Sequence, residues 1–234
     1  RRQRQMCIRD RLNIVIVGGG ATGIEVAGIL SEMKKFVLPN DYPDMPSSLM
    51  HIYLIEAGPR LLAGMSEESS AHAEQFLREM GVNILLNKRV VDYRDHKVVL
   101  EDGTEIATRT FIWVSGVTGV TIGNLDASLI GRGGRIKVDS FNRVEGMNNV
   151  FAIGDQCIQL ADENYPNGHP QLAQVAIQQG ELLAKNLIRM EKGQEMKPFH
   201  YRNLGSMATV GRNRAVAEFL SLIHISEPTR HLRI

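Results

Sequence analysis

The sequence predicts an α/β fold that opens on a parallel sheet, and three observations predict it. The stretch Leu12 to Val17 ends in an Ile/Val run and leads straight into Gly18-x-Gly20-x-x-Gly23, behind which a helical pattern opens. A second apolar run, His51 to Ile55, ends in an acid, Glu56. Beyond it, apolar runs alternate with helix signals as far as Gly116, the order that builds parallel strand–helix–strand units.

Each glycine of the opening motif has its own physical task. Gly18 permits the tight strand-to-helix turn, Gly20 removes the Cβ that would hold a pyrophosphate away from the backbone, and Gly23 lets the helix pack close to the strand. The N–H groups at the helix start then face phosphate, assisted by the helix dipole. This is a Rossmann-like dinucleotide turn. An acid at the tip of the second strand, Glu56, accepts hydrogen bonds from the adenosine ribose and repels a 2′-phosphate, which favours NADH over NADPH. The alternative is a solvated strand-end carboxylate. Arg60 lies close enough to take a 2′-phosphate but reads as a loop residue. Glu56 follows the glycines at a longer distance than usual, which Lys34 to Leu49, with three prolines, explains as an insertion after the first helix.

Ser66 caps a helix reaching Met80, with Glu67 and Glu68 in its first turn and Gly81 ending it. Val82 to Leu86 is a strand. Val90 to Tyr93, Lys97 to Leu100 and Glu105 to Ala107 read as a β-meander, with Asp102-Gly103 as a tight turn. Thr110 to Ser115 returns to the sheet, with Trp113 expected in the core, and completes a domain over residues 12–116.

From Val117 the chain becomes glycine-rich. Arg135 to Val138 reads as a brief strand, Asn149 to Ile153 as another ending at Gly154-Asp155, and Pro170 to Met190 as a long helix with Gln171, Gln174, Gln178 and Gln179 in its first half. Tyr201 to Phe219 reads as two short strands around Gly211. The Gly154-Asp155 tip can hold a polyol hydroxyl beside a phosphate, or it is a turn with its carboxylate in solvent; the sequence favours neither.

Both ends stand apart. Residues 1–11 and 221–234 show no period that joins their neighbours and resemble translated sequencing-adapter sequence, so both are set aside. They hold +4 and +1 of a formal net charge of +1, which leaves the middle near −4 and gives no support for a nucleic-acid partner. Within that middle Cys157 is the lone cysteine, a small buried thiol rather than half of a disulfide or redox dithiol. The seven histidines lack metal-ligand spacing, so no metal is expected. No apolar run approaches the ~20 residues that span a bilayer.

The combination VGGGATGIEVAG, YLIEAGPRLL, FIWVSGV, NVFAIGDQ, AQVAIQQG and GSMATVGRNRAV resembles the type II NADH dehydrogenases, single-subunit NADH:quinone oxidoreductases of the two-dinucleotide flavoprotein superfamily, over nearly all of Leu12 to Phe219. The resemblance implies an NADH-binding domain over 12–116 followed, over 117–220, by the C-terminal half of an FAD-binding domain. Gly18, Gly20 and Gly23 would bind the NADH pyrophosphate and Glu56 its ribose; Glu25 would lie near nicotinamide and flavin. Val114 to Val117, with Gly116, would line the cleft between the cofactors, and Gly154 and Asp155 would meet the ribityl or phosphate part of FAD. Gln174 and Gln178, four apart and so on one helix face, would approach the flavin ring and the quinone. NADH would pass a hydride to the flavin, which would then reduce the quinone without pumping protons.

Two parts of the family pattern are not found: an upstream FAD-binding strand with its own GxGxxG, and a C-terminal amphipathic segment that attaches such enzymes to the membrane. The chain is therefore expected to be an internal fragment, inactive alone, of a cytoplasmic enzyme peripheral on the inner face of the plasma membrane, with a homodimer allowed. A flavin reductase serving a protein acceptor, and a non-catalytic NADH-binding module, are the alternatives.

Overall fold

β1 (Ile14–Val17) is buried at every residue, because it is an inner strand of a parallel sheet covered on both faces. The computed structural model describes residues 12–120, 122–219 and 222–226. The sheet runs β3-β2-β1-β7, with β2 (Ile52–Ile55), β3 (Val82–Leu85) and β7 (Thr110–Trp113) all parallel in register. Side chains alternate between the faces. Ile14, Ile16, Ile52, Leu54, Val82 and Ile84 pack against α1 (Ala21–Glu32) and a later helix spanning Glu67–Glu79. Val15, Val17 and Ile55 pack against Val98 and Leu100 of the meander formed by β4 (Val90–Arg94), β5 (Lys97–Leu100) and β6 (Glu105–Ala107).

The expected insertion does not begin where the first helix ends. α1 runs on through a π-helical turn, Met33–Val37, into a short helix, α2 (Leu38–Asp41), so the chain stays helical beyond Pro39. That proline sits in the first turn of α2, next to the π-helical turn. The later helix, α3 (Glu67–Glu79), is capped as expected: the Ser66 hydroxyl accepts from the Ser69 N–H at 3.1 Å, and Gly81 follows at φ +85°. Trp113 is not core. It is 56 % exposed at the end of β7, where its indole N–H donates to the Ser115 carbonyl at 2.7 Å.

The contacts divide the described residues into two units, one holding those up to Ser115 together with those from Gly205, the other those of Gly116–Leu204. The boundary lies within a residue of the expected one, but the stretch after Leu204 corrects the grouping 117–220. β10 (Ser206–Thr209) and β11 (Ala215–Phe219) pair as an antiparallel hairpin and return to the first unit. Ala208, Val210 and Val216 there complete the core over α1 and α3, burial that no local pattern discloses. Within the stretch set aside at the C-terminal end, β12 (Leu222–Ser226) pairs in register with β11. Residues 1–11 lie outside the described residues.

In the second unit β8 (Ile136–Val138) and β9 (Cys157–Gln159) form a parallel pair over a core of Ile136, Val138, Val144, Ala152 and Cys157. The expected strand at 149–153 is not formed. Phe151 makes an isolated bridge to Arg143, Val150 and Ile153 stay exposed, and the regular strand comes after the Gly154–Gln156 turn. An apolar run becomes a strand only where a backbone partner meets it, and among the described residues this one meets a single bridge. α4 (Ala173–Glu191) is the long helix. No helix among the described residues is long and apolar enough to cross a membrane.

Candidate functional site

At the C-terminal ends of β1 and β2 the chain turns as its glycines require. Gly18 has φ +118°, a backbone that L side chains rarely adopt, and a Cβ on Gly23 would sit 1.8 Å from the Gly18 carbonyl oxygen. Gly20 is the opposite case. With φ −76° it is unstrained, and a Cβ there would meet nothing within 4 Å. Gly20 is also the N-cap of α1, where no side chain caps the first N–H groups and the first turn holds no acid. Open space in front of uncapped N–H groups at the positive end of a twelve-residue helix suits an anion such as a pyrophosphate.

Glu56 faces this turn. Its Oε2 accepts from the Gly19 N–H and its Oε1 from the Gly58 N–H, both at 2.6 Å. A carboxylate offers about four lone pairs, so two remain for ribose hydroxyls. Gly19, which the spacing rule leaves as an unspecified position, is itself constrained: a Cβ would lie 2.7 Å from Leu61 Cδ2 and 3.0 Å from Glu56. The run of three glycines was the available signal. Val114 continues from β7 beside the turn, its N–H donating to the Val17 carbonyl at 2.9 Å. Glu25 is turned toward β10, with Oε1 3.4 Å from the Thr209 N–H.

The remaining predicted residues lie in the second unit. Gly154 has φ +64°, and its N–H donates to Gln179 Oε1 at 2.7 Å. Gln179 is 1 % exposed, and the sequence reading missed it, although its place as a second glutamine in the helical QQG run marked it. Asp155 is exposed, its backbone carbonyl accepts from the Gln171 amide at 3.3 Å, and its carboxylate lies within the field of the Arg135 cation. Gln174 and Gln178 do share a face of α4, but both close on neighbouring backbone. Gln178 donates to the Arg202 carbonyl at 2.9 Å and accepts from the Arg202 N–H at 3.0 Å; Gln174 accepts from the Leu204 N–H at 3.2 Å.

A cleft of about 340 Å³ is lined by Gly116, Val117, Arg132, Arg135, His169 and Gln171, among others, and not by Gly154 or Asp155. Arg135 is held by the Cys157 carbonyl at 2.6 Å and the His169 carbonyl at 3.1 Å. His169 Nε2 lies 3.0 Å from Asp162 Oδ2, both side chains buried. Burial would raise the Asp162 carboxyl, but the bonds from His169 and the Asn164 N–H hold it below its ordinary value. Cys157 is buried as expected, and burial pushes its thiol above the ordinary range, so it is a poor nucleophile at neutral pH.

Residues 2–180 match the family model described as pyridine nucleotide-disulphide oxidoreductase. Among curated proteins, the type II NADH:quinone oxidoreductase NdhA of Mycobacterium tuberculosis is 34 % identical over 221 residues, 89 % of this chain and 46 % of that protein. The type II NADH:quinone oxidoreductase of Haemophilus influenzae is 30 % identical, covering 92 % of the chain and 48 % of that protein. The chain thus spans about half the length of these relatives. Among solved structures, NDH2 of Plasmodium falciparum in complex with NADH superposes with TM-score 0.84 at 20 % identity, over 94 % of this chain and 60 % of that one, a likeness of fold.

Proposed function

The chain belongs to the pyridine nucleotide-disulphide oxidoreductase family, and from that premise we propose that it is part of an FAD-dependent NADH:quinone oxidoreductase. The observation that carries the reading is the first unit's turn, where an open Gly20, uncapped N–H groups of α1 and the Glu56 carboxylate lie side by side. In it Gly18, Gly20 and Gly23 bind the pyrophosphate and Glu56 the adenosine ribose of NADH. In the second unit the exposed carboxylate of Asp155, beside Gly154, supports a role on the polyol part of FAD. Bound together, the two cofactors supply hydride transfer from NADH to FAD and then a pair of electrons that, with two protons, turns a quinone into a quinol.

The protein's own residues bind and orient. Glu25 and Val114 border the nicotinamide side in this reading, and Gly116 the flavin side. Gln174 and Gln178 act by fixing residues 202–204 against α4. The segment 12–116 is proposed as the NADH-binding part, and 117–204 as part of the FAD-binding domain. Quinones dissolve in lipid, which supports peripheral attachment at a membrane surface, here proposed as the inner face of the plasma membrane.

Trp113 is the single tryptophan and sits at the end of β7, register partner of Val17. NADH titration of the chain should therefore quench its fluorescence saturably. Glu56→Gln puts one acceptor where two N–H groups need one each, so NADH affinity should fall by roughly 1–3 kcal/mol. A chain that shows no saturable binding of NADH rules the reading out.

A further inference from the structure

Arg60 follows Glu56 by four residues, in a loop whose backbone is fastened at several points. The Leu62 N–H donates to the Gly19 carbonyl at 2.8 Å, and the Asn87 N–H donates to the Gly58 carbonyl at 2.9 Å. Leu61 is fully buried beneath Gly19, and Leu62 holds a left-handed backbone at φ +47°, unusual for a branched residue. Something must hold that conformation. The guanidinium of Arg60 does so from inside: Nη1 donates to the Met65 carbonyl at 2.7 Å and the Ser66 carbonyl at 3.2 Å, and Nη2 donates to the Ala63 carbonyl at 3.0 Å. The Ser66 N–H in turn donates to Glu218 Oε1 at 2.7 Å, so the loop is tied to β11 as well.

We propose that Arg60 is a positioning and specificity residue of the dinucleotide site: its fork builds the loop that seats Glu56 against Gly19 and, with three of its five N–H donors turned to carbonyls of that loop, offers less of itself to a 2′-phosphate. The inference rests on the NADH-binding reading and deepens it. A planar fork can satisfy three carbonyls at once, whereas a lysine ammonium on a flexible stem cannot hold the same geometry. Lysine at this position keeps the charge but frees it.

The experiment compares the wild-type chain with Arg60→Lys and Arg60→Ala, measuring affinities for NADH and NADPH by calorimetry and amide exchange over residues 57–66. Both variants should bind NADH about tenfold more weakly and exchange faster at Leu62, Met65 and Ser66. Arg60→Lys should narrow the preference for NADH over NADPH, and Arg60→Ala should leave it wide. Two results overturn the proposal. One is a selective loss of NADPH in Arg60→Ala with NADH unchanged, which makes Arg60 a phosphate ligand. The other is unaltered exchange in both variants, which removes the positioning role. If the wild type binds neither dinucleotide, the reading of the site fails on its own account, and the exchange measurement still decides whether Arg60 holds the loop.

Discussion

Gly20 and Gly23 carry the same residue for opposite reasons, and substitution separates them. Alanine at Gly20 meets open space, so the fold should lose less than ~1 kcal/mol, the cost of a poorer N-cap, while a methyl group enters the room left for the pyrophosphate. Alanine at Gly23 meets the Gly18 carbonyl at 1.8 Å, an overpacking that should cost about 3 kcal/mol or more. Thermal unfolding alongside NADH titration checks both: Gly20→Ala keeps its melting temperature and loses affinity, and Gly23→Ala loses the melting temperature first. The residues chosen from motif spacing were legible because a glycine spacing is a backbone statement. Gly19, Gln179 and the Arg60 fork were not, since their constraints come from Leu61, Gly154 and three carbonyls, which are set by the fold.

Helix α1 shows how an element's packing reverses a local preference. In an isolated helix, Gly28→Ala would stabilise by roughly 0.5–1 kcal/mol. Here a Cβ at Gly28 would lie 2.4 Å from the Gly211 nitrogen in the β10–β11 turn, so the substitution should instead destabilise by about 1–3 kcal/mol, readable as a lower urea midpoint. Helix α3 shows the same dependence in its electrostatics. Burial would raise the Glu218 carboxyl above its ordinary value of 4.5, but the Ser66 N–H that donates to it, the polar groups of Ser66 and Ser69 at the start of α3 and the nearby charge of Arg60 outweigh burial and hold it lower. A carboxyl depressed in the folded state adds stability that is present above its unfolded pKa and lost as pH falls through the folded one. Urea midpoints measured from pH 7 down to 3 should therefore fall more steeply for the wild type than for Glu218→Gln, whose curve starts lower.

At the scale of the molecule, the first unit is discontinuous: its core is closed by Ala208, Val210 and Val216, about a hundred residues after β7. Removing everything after Leu204 should cost that unit roughly 4 kcal/mol or more of apolar burial and expose one side of α1 and α3. Calorimetric unfolding should show its transition shifted down or lost, and a transition unchanged by the truncation would contradict the packing described.

Taken alone, the sequence determined the parallel sheet, the meander, the Ser66 cap and the glycine turn with its acid, because each rests on a period or spacing of a few residues that the backbone converts directly into geometry. Only the tertiary structure decided that 149–153 stays irregular, that Trp113 is exposed, that Gln174 and Gln178 grip backbone, and that the chain after Leu204 returns to the first unit. These outcomes depend on which distant group arrives to take a hydrogen bond or cover an apolar face, and distance along the chain carries no record of that.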